Sequence, residues 1–317
     1  MFKRIGIFIT AMCLVWNPCQ AQTDNPGKPA KSKNASNTFK AGKNFRDCTE
    51  CPEMVVIPKG GLKMGSPDTE DGRNDNEGPE HQVELATFAL GKHEVTRAQF
   101  AAFVKQAKYL PVEQCKILVD GKFEESNAGW QSPGFAQTDK HPVVCINWDD
   151  AKAYAKWISK ISGKTYRLPT ETEWEYAARG KTNSARYWGD SPEESCAYAN
   201  TADMTAQEKI QGTISWTVHQ CSDGYAYTSP VGKFKPNAFG LFDILGNALE
   251  WTEDVYQESY TVAPAESRSK EDEPIRRVLR GGSWYDAPRF VRSAARDKAD
   301  PSGRYANFGF RLARSLP

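Results

Sequence analysis

Asp243-Ile-Leu-Gly-Asn-Ala-Leu-Glu250 sets two carboxylates around a glycine-bearing turn. Calcium takes several hard oxygens and accepts backbone carbonyls as readily as carboxylates, so this segment could hold such an ion. An acidic surface loop with Glu250 in an ion pair is the other reading. Downstream, Ser283 with Arg280, Arg292 and Arg296 could line a polar groove, or the arginines could pair with some of the 40 acidic residues. Cys48-Thr-Glu-Cys51 has redox spacing, but no second CxxC exists and no strand–helix context surrounds it, which favours a structural role. His81, His93, His141 and His219 lack metal-ligand spacing and read as surface or structural residues. No Gly-x-Ser-x-Gly elbow, P-loop or dinucleotide fingerprint is present.

These groups must be positioned by a particular kind of chain. With 39% hydrophobic residues and a mean hydropathy of -0.64, it is neither a multi-span membrane protein nor a wholly disordered one. The 24 Gly, 19 Pro and 9 Trp favour a loop-rich, aromatic-pinned fold over a helical bundle. From residue 48 onward acids exceed bases, which suits hard cations and leaves no electrostatic footprint for nucleic acid.

Met1-Phe-Lys-Arg and the apolar run Ile5 to Trp16 form a signal peptide, too short to span a bilayer. Cleavage is expected after Ala21, giving an exported, periplasmic or secreted protein with no membrane span. Residues 22–47 read as a flexible linker. Six cysteines then remain, an even count that points to disulfides in an exported chain. Of the 15 possible connectivities, the preferred set closes three local loops: Cys48–Cys51, Cys115–Cys145 and Cys196–Cys221.

Three helices have visible start signals. Thr96 and Gln99 form a capping box before Phe100, Phe103, Val104 and Ala107. Asn147 caps a helix with Ala151, Tyr154, Ala155, Ile158 and Ile161 on one face, ended by Gly163. Thr170 and Glu173 form a second box before Trp174, Ala177 and Ala178, ended by Gly180. Strands are expected at Met54–Ile57, Leu62–Met64, Gln82–Leu90, Arg277–Arg280 and Phe308–Leu312. The remainder reads as turns and short strands, giving one α+β domain over 48–317. Its long loops need disulfides or cations to hold them.

Seven segments in order resemble the formylglycine-generating enzyme, or sulfatase-modifying-factor, family. They are Met54-Val-Val-Ile-Pro58 with Met64-Gly-Ser66, Glu94-Val-Thr96, His141-Pro-Val-Val144 with Trp148, Tyr166 to Arg179, Asn237 to Trp251, Arg280-Gly-Gly-Ser-Trp284 and Asn307-Phe-Gly-Phe-Arg311. Together they cover roughly residues 52–314. The resemblance implies a loop-rich α+β fold related to the C-type lectin fold, with few helices, short strands and structural calcium. By resemblance, one calcium would be held by Asp243, Glu250 and the Gly246 and Ala248 carbonyls. A second would be held by Asn200, the Thr201 carbonyl, Asp223 and the Tyr225 carbonyl.

The family's enzymes oxidise a substrate cysteine to formylglycine, using two cysteines after the Gly-Gly-Ser motif to hold Cu(I). Here 281–296 contains no Cys, Asp286 falls near the first cysteine position, and the stretch is shorter. A carboxylate cannot replace a thiolate for soft Cu(I), so no copper site is expected. Leu249 stands where the family often has Trp. The histidine-bearing helical domain of the related iron-dependent sulfoxide synthases is also absent. Groove candidates are Ser283, Trp284, Asp286, Arg292 and Arg296.

A periplasmic subfamily also lacks the cysteine pair and matures secreted peptide products such as siderophores. The resemblance therefore implies an exported protein oxidising or maturing a peptide or protein substrate in the envelope. The alternative is a non-catalytic, calcium-stabilised lectin-like module for an envelope peptide, glycan or protein. Against sugar binding, Lys235-Pro236-Asn237 lacks the carboxylate a lectin calcium needs.

Overall fold

The computed structural model describes residues 39–210, 214, 216–261 and 275–317. The expected signal peptide, and the linker up to residue 38, lie outside them. In chain order the N-terminal part carries β1 (Asn44–Phe45), β2 (Met54–Ile57), β3 (Gly60–Met64), β4 (His81–Leu85), β5 (Phe88–Gly91) and α1 (Arg97–Ala107). It continues with β6 (Cys115–Val119), β7 (Lys122–Ser126), α2 (Trp148–Ser162), β8 (Tyr166–Arg167), α3 (Glu171–Arg179) and α4 (Met204–Lys209). The last strands are β9 (Leu249–Val255), β10 (Arg277–Arg280), β11 (Arg296–Ala299), β12 (Phe308–Gly309) and β13 (Ala313–Ser315).

The five-stranded sheet runs β1-β2-β5-β13-β8, and a four-stranded sheet runs β11-β10-β9-β12. All four β2 residues are buried because this sheet separates two apolar cores. Met54 and Ala89 face the core of α1 and α2, with Phe100, Phe103 and Tyr154. Val55, Ile57 and Leu90 face the core around Trp174 of α3. An apolar run without alternation is the signature of a strand covered on both faces. β1 pairs with β2, so the folded body begins before residue 48 and the linker ends earlier than expected.

Both capping boxes and the Asn147 cap form as read, and Asp150 completes a third box: Thr96 Oγ1 accepts from Gln99 N, Asn147 Oδ1 from Asp150 N, and Thr170 Oγ1 from Glu173 N. Gly163 and Gly180 end their helices in the left-handed region. Ile161, placed on the inner face, is instead 38% exposed, and Trp157 takes the buried position. The strand expected over Gln82–Leu90 splits into β4 and β5. That expected over Phe308–Leu312 keeps ladder geometry only at Phe308–Gly309.

The disulfides Cys48–Cys51, Cys115–Cys145 and Cys196–Cys221 are all present. Closure of the two longer loops, with separations of 30 and 25, stabilises by about 2–4 kcal/mol each. Thiol titration of unreduced, denatured mature protein should therefore find no free thiol, and two or more would contradict the pairing.

Candidate functional site

Buried arginines thread the loops that carry the motifs. Arg280 donates to Glu175 at 2.5 Å, and Arg296 donates through Nε and Nη2 to Glu171 at 2.6 and 3.0 Å. Arg292 reaches Glu77 at 2.5 and 2.9 Å and Glu70 at 2.5 Å. The ion-pair reading of these arginines therefore holds. Arg292 is committed to carboxylates inside the protein and is not a groove residue. Arg296 lines a small cavity, but its guanidinium is equally committed. Trp284 is fully buried among Phe135, Tyr227 and Tyr285, which removes it from the groove as well.

The expected first cation loop winds through left-handed residues Asp243, Gly246 and Asn247. A side chain at Gly246 would strike the Asn200 carbonyl, with its Cβ at 2.3 Å, so glycine lets the two candidate loops touch. Asn247 joins them further: its Oδ1 accepts from Asn200 Nδ2 at 3.0 Å and its Nδ2 donates to Glu94 at 2.8 Å. Glu250, however, is engaged through both carboxylate oxygens. Arg311 Nε sits 2.8 Å from each, and Trp174 Nε1 donates to Oε2 at 2.9 Å. Arg311 also donates to the carbonyls of Gly91, Phe242 and Asp243. A guanidinium thus supplies positive charge beside this loop. Asp243 Oδ1 and Glu94 Oε2 remain buried without partners. Burial pushes Asp243 up to about 6. Burial, then the charge of Asp243, pushes Glu94 well above the carboxylate range.

The second loop is gathered by Asp223, which accepts from Thr201 N at 3.0 Å and Tyr225 N at 2.7 Å. Asn200 Oδ1 and Thr201 Oγ1 are buried without partners. Burial, then the charge of Asp203, pushes Asp223 up to about 7. Unpartnered oxygen beside a carboxylate that is costly to ionise is a hard-cation donor set. The second loop therefore fits a cation better than the first, where Glu250 already has a cationic partner.

The open chemistry lies elsewhere. Cavities of about 1330, 860 and 260 Å³ meet around Asp286, the one residue that lines all three. Ser283 donates to Asp286 Oδ2 at 2.6 Å, and Asn307 Nδ2 donates to Ser283 Oγ at 3.1 Å. Ser283 itself is fully buried and lines none of the cavities, so it positions Asp286 rather than facing the cleft. Burial pushes Asp286 up to about 7, with Asp297 adding repulsion and the Ser283 bond opposing it. A carboxyl titrating near neutrality in a cleft can move a proton under working conditions. Leu249 lines two of the cavities. Sequence reasoning missed Glu94, Asp297 and Asn307. For Asn307 the only signal was its place at the head of a recognised motif.

The histidines are structural. His219 is buried with Nδ1 against the Pro192 carbonyl, and burial holds both it and His93 down at about 4. His141 is 8% exposed, and its Nδ1 accepts from Thr138 N. Among the described residues all six cysteines are tied in disulfides, so none of them offers a thiolate to the cleft. Among the described residues no helix is long and apolar enough to cross a membrane.

An arginine-threaded α+β fold with a cleft at the Gly-Gly-Ser turn defines a class that the comparisons name. The profile of the sulfatase-modifying factor enzyme 1-like domain matches residues 40–316. The chain belongs to this family, that of the formylglycine-generating enzymes. It is 34% identical to a formylglycine-generating enzyme of Thermomonospora curvata, over 82% of this chain and 92% of that one. It is 32% identical to a bovine protein named inactive C-alpha-formylglycine-generating enzyme 2, over 82% and 87%. Among solved structures, PvdO from Pseudomonas aeruginosa is similar with a TM-score of 0.71 and 36% identity, over 87% of this chain and 99% of that one.

Proposed function

We propose that this protein is exported and oxidises or matures a peptide-type substrate in the cleft around Asp286, the electrons of any oxidation passing to an acceptor supplied from outside this chain. The observation that carries the reading is the convergence of three cavities on a carboxyl that burial holds near neutrality. The donor set does not fit Cu(I): the turn offers Ser283, Asp286 and Asn307, all hard oxygen or nitrogen groups. Asp286 would instead hold or accept a substrate proton at its open side, with Ser283 and Asn307 fixing its orientation. Disulfides support the assignment to an oxidising compartment.

The test is a mass-spectrometric comparison of envelope peptides and peptide-derived products from the producing organism with the gene deleted. Complementation by the natural gene should restore a species that is lost or left reduced in the deletion strain, and Asp286→Asn should not restore it. Equal restoration by both would rule out the assigned site. No gene-dependent species at all would favour the second reading, a binding module without chemistry. That reading draws support from the missing thiolates and from a relative whose name marks it inactive.

Calcium is proposed as structural, held by Asn200, the Thr201 carbonyl, Asp223 and the Tyr225 carbonyl. Asp243 and the carbonyls of Gly246 and Ala248 form the weaker site, with Glu250 shared by Arg311. A ligand present at 100 times its dissociation constant stabilises by about 2.7 kcal/mol. Chelation should lower the melting temperature, and Asp223→Asn should remove that sensitivity. An identical melting temperature with and without chelator, at matched ionic strength, would exclude structural calcium.

A further inference from the structure

The smallest of the three cavities has a composition unlike the other two. Its walls are Leu249, Leu279, Phe290 and Ala295, while Asp286 and Asp297 line its acidic side. At about 260 Å³ it is smaller than the 300–1,000 Å³ typical of pockets for drug-sized ligands, and so is matched to a single side chain. One cation, Arg296, contributes to its lining, and that guanidinium is spent on Glu171 and on the carbonyls of Asn76 and Gln257. Lys298, beside Asp297 in sequence, has its ammonium on Glu258. Among the described residues neither aspartate has a cationic partner within ion-pair distance. Asp286 is engaged through Oδ2 by the Ser283 hydroxyl, and Asp297 through Oδ1 by the Lys298 amide.

A second observation comes from another element. Asn307 lines the adjoining 860 Å³ cavity together with both aspartates. It is 4% exposed, and its Oδ1 has no hydrogen-bond partner. The Lys298 charge acts on Asp297 without ion-pair contact, and a buried acceptor left unpaired beside two such carboxyls calls for a donor-rich positive group. The apolar wall of the small cavity, Leu249, Leu279, Phe290 and Ala295, calls for a methylene chain. Long cationic side chains have this division, with an apolar stem and a charged head.

Resting on the reading of this cleft as the substrate site, we infer that the small cavity is a subsite for a primary alkylammonium group, such as a lysine-type side chain of a peptide substrate. The stem lies between Leu249, Leu279 and Phe290, and the ammonium is met by Asp286 and Asp297. Its third hydrogen is directed towards Asn307. Leu249 decides whether the subsite exists, because a Trp at that position would fill the cavity. Binding a cation there also relieves the mutual repulsion of the two aspartates.

The test uses two capped tripeptides, acetyl-Gly-Lys-Gly-amide and acetyl-Gly-norleucine-Gly-amide, titrated into the mature protein and followed by NMR. The lysine peptide should bind about tenfold more tightly than its isostere without the amine, a difference of about 1.4 kcal/mol. Asp286→Asn should abolish that preference. Leu249→Trp, which leaves both aspartates in place, should abolish binding of both peptides. Near-unity peptide discrimination by the natural protein, or unchanged binding to Leu249→Trp, would overturn the subsite. Displacement of the lysine peptide by stoichiometric calcium would also overturn it, since the aspartates would then serve a metal. The outcome is separable from that of the proposed function. Amine-selective binding without any gene-dependent product leaves the subsite standing and removes the chemistry, whereas a product without amine selectivity does the reverse.

Discussion

Asp286→Asn should make the protein more stable at pH 8 and raise its stability by a smaller amount at pH 5. The sign follows from linkage. Burial raises this carboxyl from 3.8 to about 7 in the folded state. An acid whose pKa rises on folding costs stability once the pH climbs above its unfolded value, and the full cost is present above its folded value. The natural protein therefore loses stability from this group between about pH 4 and 7. Asparagine keeps an oxygen that can accept from Ser283, carries no charge and removes the repulsion with Asp297. One pKa unit corresponds to 1.36 kcal/mol. Because Asp286 borders open cavities, solvent reduces the realised gain to about 1–2 kcal/mol, a rise of about 3–6 °C for a domain of this class. Thermal scans of both proteins at the two pH values check it. Loss of stability at pH 8 would mean that the carboxylate has a structural partner the cleft conceals.

The largest loss is expected from Glu250→Ala. Glu250 and Arg311 are both buried, and the arginine uses Nε, Nη1 and Nη2 on Glu250 and three backbone carbonyls. Removing one member of a buried ion pair leaves the other charge uncompensated, at a cost of about 3–5 kcal/mol. Here Glu94 and Asp243 remain within reach of the arginine's field, which puts the expected loss near the lower end of that range. Trp174 Nε1 also loses its acceptor. The same variant separates ion pair from cation ligand. If Arg311 is the principal partner of Glu250, chelator sensitivity persists in Glu250→Ala. If the sensitivity vanishes with Glu250, its carboxylate is a calcium ligand and the Asp243 loop is the stronger site. Urea unfolding with and without chelator measures both quantities.

Local signals carried much of the fold. An N-cap or capping box lies within four consecutive residues, so Thr96, Asn147 and Thr170 announced their helices before any packing was known. The disulfides were legible for a similar reason, since each preferred pair closes a short loop. The β6–β7 hairpin had a signal that went unread: Asp120-Gly121, both in the left-handed region, is a favoured two-residue turn. By contrast, β13 inserts between β5 and β8, and β12 runs parallel to β9. Such pairings join residues far apart in sequence and leave no local mark.

The site divides along the same line. Asp286 stood out because it falls near the first cysteine position of the family in a recognised turn. Its surroundings come from Asn307, ahead of β12, which holds Ser283, and from the repelling Asp297 on β11, which only the folded chain brings together. Charge pairing was legible in kind but not in partner. The acids could be expected to meet the arginines, yet nothing local assigns Glu77 to Arg292 or Glu250 to Arg311.

One incubation tests most directly whether a turn of hard donors at Ser283, Asp286 and Asn307 leaves this family member without copper chemistry. Mature protein with intact disulfides is combined with a sulfatase-type Cys-x-Pro-x-Arg peptide, copper, oxygen and mild reductant, and the peptide is weighed by mass spectrometry. Asp286, Ser283 and Asn307 hold Cu(I) poorly, so the substrate cysteine should remain a thiol or a simple disulfide. Conversion of that cysteine to an aldehyde would contradict the account. If Cys48→Ser abolished the conversion, the Cys48–Cys51 pair would be the copper ligands. If the conversion were insensitive to that change, chemistry at a site other than the one assigned would be required.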